Sequence, residues 1–242
     1  MWRVKKWIWT RSNLPAMFFV KMIPKIIHQT YRNHELPEVY AMCAKQMIAL
    51  HPDYEYKFWT DEDMYSFIRT EFPDYWEKFA SLPRVILQVD MFRYFLMYKF
   101  GGVYADLDYY MLRPIDDVLD KELVLPVNRE AADGTPSCLG NCIFASRPGH
   151  PFWKHLMDSL FTIDRSGVHS DSNVETSEFG TGPGFVYASW RKYSMDDSSI
   201  YLPPKSMFHP PSKQSLAYLD RLRAHGVYGM HWCSGLWRNG AL

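Results

Sequence analysis

The sequence predicts an alternating α/β domain, and three stretches carry that expectation. "IPKIIHQTY" is a β-rich run after a proline that leads into helical periodicity, and "HPDYEYKFWTDED" alternates Tyr54, Tyr56 and Phe58 with polar neighbours before another helix start. "SLPRVILQVDMFRYFLMYKFGG" then reads as a long apolar helix that runs through a glycine pair into the short strand "VYADLD". At 242 residues, 47% hydrophobic and 17% aromatic, the chain is long enough for one large domain with a full core. Residues 1–22 read as a leader and 23–242 as the domain.

The leader differs in composition from the domain. It is part of a basic run holding Arg3, Lys5, Lys6, Arg11, Lys21 and Lys25, with no acid before Glu35. Its apolar run "LPAMFFV" falls far below the roughly 20 residues needed to cross a bilayer. No small-residue cleavage site marks a signal peptide. Trp2, Trp7 and Trp9 among cations suit a membrane interface; a loosely ordered leader is the alternative.

The elements come in order from Ile23. A helix is expected from Glu38 to Leu50, with Val39, Met42, Cys43, Met47 and Leu50 on one face. Thr60 can cap the next helix, which carries Asp63 near its N-terminus. Pro83 suits the first turn of the long helix, and Gly101 and Gly102 supply a left-handed stop. Within it Asp90 and Arg93, three apart, share a face inside the apolar surround of Phe92, Phe95, Leu96 and Tyr98. After Pro114, residues Asn128 to Gly140 read as loop, "CIFAS" as a strand, Phe152 to Phe161 as a helix, and "DRSGVHSDSNVETSEFGTGPG" as a surface loop.

Charge and cysteine content narrow the function classes. Lys+Arg 27 against Asp+Glu 27 gives no global field for a polyanion, so nucleic-acid binding has no support. Cys43, Cys138, Cys142 and Cys233 show no paired metal-ligand spacing, and "CLGNC" is not a zinc signature; a disulfide stays open. There is no Asn-x-Ser/Thr sequon.

The chemistry concentrates in "FGGVYADLDYY". In an extended strand Asp106 and Asp108 point to one face, with Leu107 turned to the opposite layer. Two carboxylates that close repel in a dry site unless a cation joins them, and hard oxygen donors suit Mg²⁺ or Mn²⁺ with positions left for phosphate oxygens. Alone, the pair also reads as solvated acids at a strand end. A phosphohydrolase using an Asp-x-Asp nucleophile expects a hydroxyl residue two places on, where Tyr110 stands, and no matching Lys signal accompanies it. A non-catalytic carbohydrate-binding protein could use the aromatics but has no need of Arg93 beside a metal pair.

Taken together, "VDMFRYFLMYKFGGVYADLD" with the preceding "IPKIIHQTY" and "HPDYEYKFWTDED" closely resembles the sugar-binding region containing the Asp-x-Asp motif in glycosyltransferase family 32. That family includes fungal initiating α-1,6-mannosyltransferases and mannosyltransferases acting on inositol phosphoceramide. The likeness spans Ile23 to Ile115, with thinner echoes in "NCIFASRPGHPFW", "GTGPGFVY" and "HWCSGLW".

The resemblance implies a GT-A-like, Rossmann-related domain: a mixed, mostly parallel central sheet flanked by helices, with the donor at the carboxyl ends of the strands. It implies that Asp106 contacts the donor and supports the ion, that Asp108 binds Mn²⁺ or Mg²⁺, and that His231 is the last metal ligand; a histidine packed on Trp232 is the alternative. By the same resemblance Asp90 and Arg93 contact the transferred sugar and the diphosphate edge, unless they form only an internal ion pair. His28 and Gln29 fall beside the nucleobase, or His28 is satisfied by backbone inside the core. Asn141 and the loop Thr181, Gly182, Pro183 resemble pocket edges. Relatives end the C-terminal motif in Ser-Trp; here Leu236 precedes Trp237, and Ser234 is the nearby hydroxyl.

The implied reaction is metal-dependent, retaining transfer of a hexose, mannose by first preference, from a nucleotide sugar to a glycan or glycolipid such as inositol phosphoceramide. GDP-mannose is the preferred donor and a UDP-sugar stays open. No enzymic nucleophile is required; Asp90 and Asp133 are base candidates on carboxylate chemistry alone. A secretory or Golgi membrane location is expected in a eukaryote, a cytoplasmic or peripheral one otherwise.

Overall fold

Ile26–Thr30 (β1) lies between two parallel neighbours, Glu55–Trp59 (β2) and Gly102–Ala105 (β3), so its Ile27, His28 and Gln29 are all buried. A strand paired on both edges and covered on both faces has no wet side, which is why this run lacks strict alternation. The computed structural model describes residues 22–162, 180–193, 197–211 and 216–232. The leader expected over 1–22 lies outside these except for Met22.

Helices Glu38–Leu50 (α1), Asp61–Glu71 (α2), Trp76–Ala80 (α3) and Val85–Phe100 (α4) link the first strands. Thr60 caps α2 as expected: its Oγ1 accepts from Asp63 N at 3.2 Å, and the Asp63 carboxylate accepts from Thr60 N at 2.9 Å. Such a cap stabilises a helix by about 1 kcal/mol. The buried face of α1 is Tyr40, Cys43, Ala44 and Met47, whereas Val39 and Met42 are exposed, so the expected face is rotated. Pro83 precedes α4 rather than sitting in its first turn.

Beyond α4 come Tyr109–Met111 (β4), Leu123–Val124 (β5), Val127–Glu130 (β6), Pro136–Leu139 (β7) and Ile143–Ser146 (β8). Pro151–Thr162 (α5), Pro183–Tyr193 (α6), Ile200–Tyr201 (β9), Lys205–Phe208 (α7), Leu216–Ala224 (α8) and Gly229–His231 (β10) complete the described chain. The main sheet has the order β2-β1-β3-β8-β5-β9, with β8 antiparallel to both β3 and β5 and every other pairing parallel. This is the mixed, mostly parallel sheet the sequence led us to expect.

Alternation along β3 divides the core. Tyr104 joins α4, Phe144 and Trp153 of α5 on one face, while Val103 and Ala105 join Met47 of α1, Tyr109 of β4 and Phe208 of α7 on the other. Helices therefore cover both faces. Gly101 and Gly102 turn α4 into β3 at φ of 63° and 90°, and a Cβ on Gly101 would stand 2.5 Å from the Ser146 carbonyl oxygen.

Two smaller ribbons stand outside the main sheet: β4 with β10, and β6 with β7. The second corrects the loop expected over Asn128 to Gly140; it is a bulged hairpin whose turn uses Gly134 at φ 81° and Asp133, which accepts from Thr135 N and Oγ1. Cys43, Cys138 and Cys142 are buried free thiols, and Cys233 lies outside the described residues. None of the helices among the described residues is long and apolar enough to cross a membrane.

Candidate functional site

The Asp-x-Asp segment is a turn rather than strand interior. β3 ends at Ala105, and Tyr109 N donates to Asp106 O at 3.0 Å to close the turn into β4. Leu107 drives this local shape by burying itself against Tyr31, Tyr40 and Ala44. Backbone hydrogen bonds then fix the turn from three sides. Asp106 N donates to Cys142 O at 2.7 Å, Gln29 Nε2 donates to the carbonyls of Ala105 and Asp106 at 3.3 Å each, and Trp232 N donates to Asp108 O at 2.9 Å.

Held in this way, both carboxylates meet His231 from β10. Asp106, Asp108 and His231 each offer one ligand atom, all within 4.8 Å of one another. His231 Nε2 is 2.8 Å from Asp108 Oδ1 and 3.9 Å from Asp106 Oδ2. The convergence expected from strand alternation is thus reached through a turn.

Behind the turn stands a buried polar network. Arg93 Nη2 lies 2.9 Å from Asp90 Oδ1 and Nη1 lies 3.2 Å from Asp106 Oδ1, while Nη1 also donates to the Asn141 carbonyl. Its guanidinium sits over the Tyr104 ring at 4.7 Å. Asp90 also accepts from Asn141 Nδ2 at 3.0 Å and from Thr181 Oγ1 at 3.1 Å. Burial works against the Arg93 charge, but Asp106, Tyr104 and Asp90 more than offset it and hold the guanidinium firmly protonated. Burial pushes the Asp106 carboxyl upward, with Asp108 adding to the effect and Arg93 and His231 opposing it.

The donor set fits a divalent cation. Asp90, Asp106 and Asp108 set against Arg93 leave two formal negative charges with His231 neutral, which one such ion balances. Two carboxylates and an imidazole suit Mn²⁺ or Mg²⁺ and leave coordination positions open.

The other predicted residues divide. Asn141 joins Asp90 and Arg93 in the network. Gln29 reaches the site through the backbone of Asp106, while its Oε1 accepts from Tyr56 OH at 2.8 Å. His28 takes the second of its two readings: its Nε2 meets the Gly101 carbonyl at 3.0 Å and its Nδ1 accepts from Trp59 Nε1 at 3.1 Å, both inside the core. Neither ring nitrogen is left for a nucleobase, and burial lowers its pKa to about 3. Asp133 is engaged in its exposed hairpin turn and is not one of the clustered ligand residues. Ser234 and Trp237 lie outside the described residues.

Sequence reading assigned no role to Tyr104, whose hydroxyl donates to Asp106 Oδ1 at 2.9 Å, or to the Thr181 hydroxyl on Asp90. A two-residue period places Tyr104 beside Asp106, and that was the signal available.

Residues 37–125 match the glycosyltransferase sugar-binding region containing the DXD motif. Inositol phosphoceramide mannosyltransferase 3 of Schizosaccharomyces pombe is 38% identical over 173 residues, which cover 70% of this chain and 46% of that protein. Mannosyl phosphorylinositol ceramide synthase SUR1 of Saccharomyces cerevisiae is 35% identical over 173 residues, 72% of this chain and 43% of that protein. The chain spans less than half the length of these two relatives. Among solved structures, the ligand-free glycosyltransferase domain from the YGT toxin superposes with a TM-score of 0.50 at 11% identity, covering 76% of this chain and 80% of that one, a likeness of fold. The fold class is GT-A-like, and, with Asp106 and Asp108 inside the matched segment, the chain belongs to the glycosyltransferase sugar-binding family that carries the DXD motif.

Proposed function

We propose that the chain is a metal-dependent retaining glycosyltransferase that moves mannose from GDP-mannose to a glycolipid acceptor of the inositol phosphoceramide type. The observation that carries the reading is the convergence of Asp106, Asp108 and His231 beside the buried Asp90–Arg93 pair. Mannose and the acceptor class rest on the names of the two fungal relatives. The basic, tryptophan-rich segment 1–22 supports approach to a membrane surface, where such an acceptor resides.

In this reading the carboxylates of Asp106 and Asp108 and the imidazole of His231 would hold Mn²⁺ or Mg²⁺, which when bound would supply positive charge where negative charge grows as the sugar leaves. Arg93 serves the site through Asp106 and Asp90, whose carboxylates its terminal nitrogens meet at 3.2 Å and 2.9 Å. Asp108 and His231 fix each other's orientation across their 2.8 Å contact. The departing phosphate takes the acceptor proton, so no side chain is assigned as base or nucleophile.

The test is a thermal-shift screen of the purified protein with Mn²⁺ against GDP-mannose and UDP-linked glucose, galactose and N-acetylglucosamine, followed by transfer to inositol phosphoceramide in detergent. Donor binding raises the melting temperature by mass action. GDP-mannose is expected to give the largest shift and a mannosylated lipid whose anomeric proton shows retention. No stabilisation by any sugar nucleotide, together with no transfer, overturns the proposal.

A further inference from the structure

Asp106 has two carboxylate oxygens in different surroundings. Oδ1 accepts from Tyr104 OH at 2.9 Å and faces Arg93 Nη1 at 3.2 Å, whereas Oδ2 faces His231 Nε2 at 3.9 Å. Tyr104 is buried, its ring stacked on Phe144 at 5.3 Å on one side and under the Arg93 guanidinium at 4.7 Å. It has no room to swing away. Its single hydroxyl proton goes to Asp106, so the longer 3.5 Å contact with Thr30 Oγ1 is one in which Thr30 donates.

We infer that Tyr104 is a positioning residue for the candidate metal centre: with Arg93 it retains Asp106 Oδ1 for the protein and leaves Oδ2 as the oxygen presented to the cation. A carboxylate free to rotate about its last torsion samples orientations in which neither oxygen faces Asp108 and His231 well, and holding one oxygen removes that freedom. Arg93 alone does not fix the plane, because Nη1 is shared with the Asn141 carbonyl; the tyrosine supplies a second, differently directed donor. The inference rests on the metal-dependent reading of the site.

The experiment is a Mn²⁺ titration of the purified protein, following the free-ion signal by electron paramagnetic resonance, for wild type, Tyr104→Phe, Thr30→Val and Asp108→Asn, with melting temperatures alongside. Tyr104→Phe keeps the ring and its stacking. It is expected to weaken Mn²⁺ binding about tenfold, the low end for partners that orient metal ligands, with the fold intact at the titration temperature. Thr30→Val weakens it less, in the same direction, and decides the matter if Tyr104→Phe does not fold. Wild-type affinity in both hydroxyl variants, with binding lost in Asp108→Asn, overturns the role of Tyr104 and leaves the metal reading standing. Failure of the wild type to bind Mn²⁺ overturns both.

Discussion

His231 Nε2 lies 2.8 Å from Asp108 Oδ1 across 123 residues of sequence. The contact depends on the β4–β10 ribbon, where His231 pairs with Tyr109, the residue directly after Asp108. Asp108→Asn keeps the shape of the turn but removes a charge from the candidate cation site. It is expected to abolish the proposed mannosyl transfer while the melting temperature stays close to wild type. Full activity of this variant in metal-free buffer contradicts the role given to Asp108.

Removing Arg93 should be costly for a different reason. Arg93→Met leaves Asp90, whose side chain is 10% exposed, without its 2.9 Å partner. Breaking a buried pair from one side typically costs about 3–5 kcal/mol. Urea unfolding is expected to show a loss of that order, and Arg93→Met combined with Asp90→Asn should recover part of it. A loss below about 1 kcal/mol for the single variant contradicts the buried pairing.

Gly101→Ala tests the junction between α4 and β3. The φ of 63° is strained for alanine, and the added Cβ meets the backbone of Ser146, Arg147 and Pro148 at 2.5 to 2.8 Å. Backbone cannot step aside as a flexible side chain can, so destabilisation of at least about 2 kcal/mol is expected by chemical denaturation.

Acid should weaken the fold through buried neutral histidines. Burial lowers the pKa of His28 to about 3 and that of His150 to about 4. The unfolded chain takes up these protons near pH 6.5 while the folded chain does not, so their contribution is fully present above about pH 6.5 and is lost as pH falls toward 4 and 3. The slope is about 1.4 kcal/mol per pH unit for each such group inside that window. Urea midpoints between pH 7 and pH 5 should therefore fall, and His28→Gln should flatten the fall by one group's share.

How much of this was legible in sequence differs by residue. The spacing of Asp106 and Asp108 announced shared chemistry, and the glycine pair announced the turn into β3. That the acids sit on a turn was hidden, because it depends on Leu107 finding Tyr31 and Tyr40 from other elements. The α1 face departs from its period because weakly apolar Tyr40 and Ala44 face inward while Val39 and Met42 face out, an outcome set by neighbours rather than by spacing. The β6–β7 hairpin was hidden because its short strands are polar and bulged, although Asp133-Gly134 is a recognised hairpin signal. His28 offered two readings, and only the positions of Gly101 and Trp59 chose between them.

The ribbon that delivers His231 has a further consequence for how the protein comes into being. The two acids follow β3 in the first half of the chain, whereas β10 is synthesised more than a hundred residues later and must travel back to zip against β4. Long-range pairing of this kind is slow because closing the intervening loop costs entropy before any contact compensates for it. If the site binds a cation as proposed, competence to capture it is therefore a late event in biogenesis, and a ribosome-released fragment that stops short of Gly229 holds the acids without their imidazole partner.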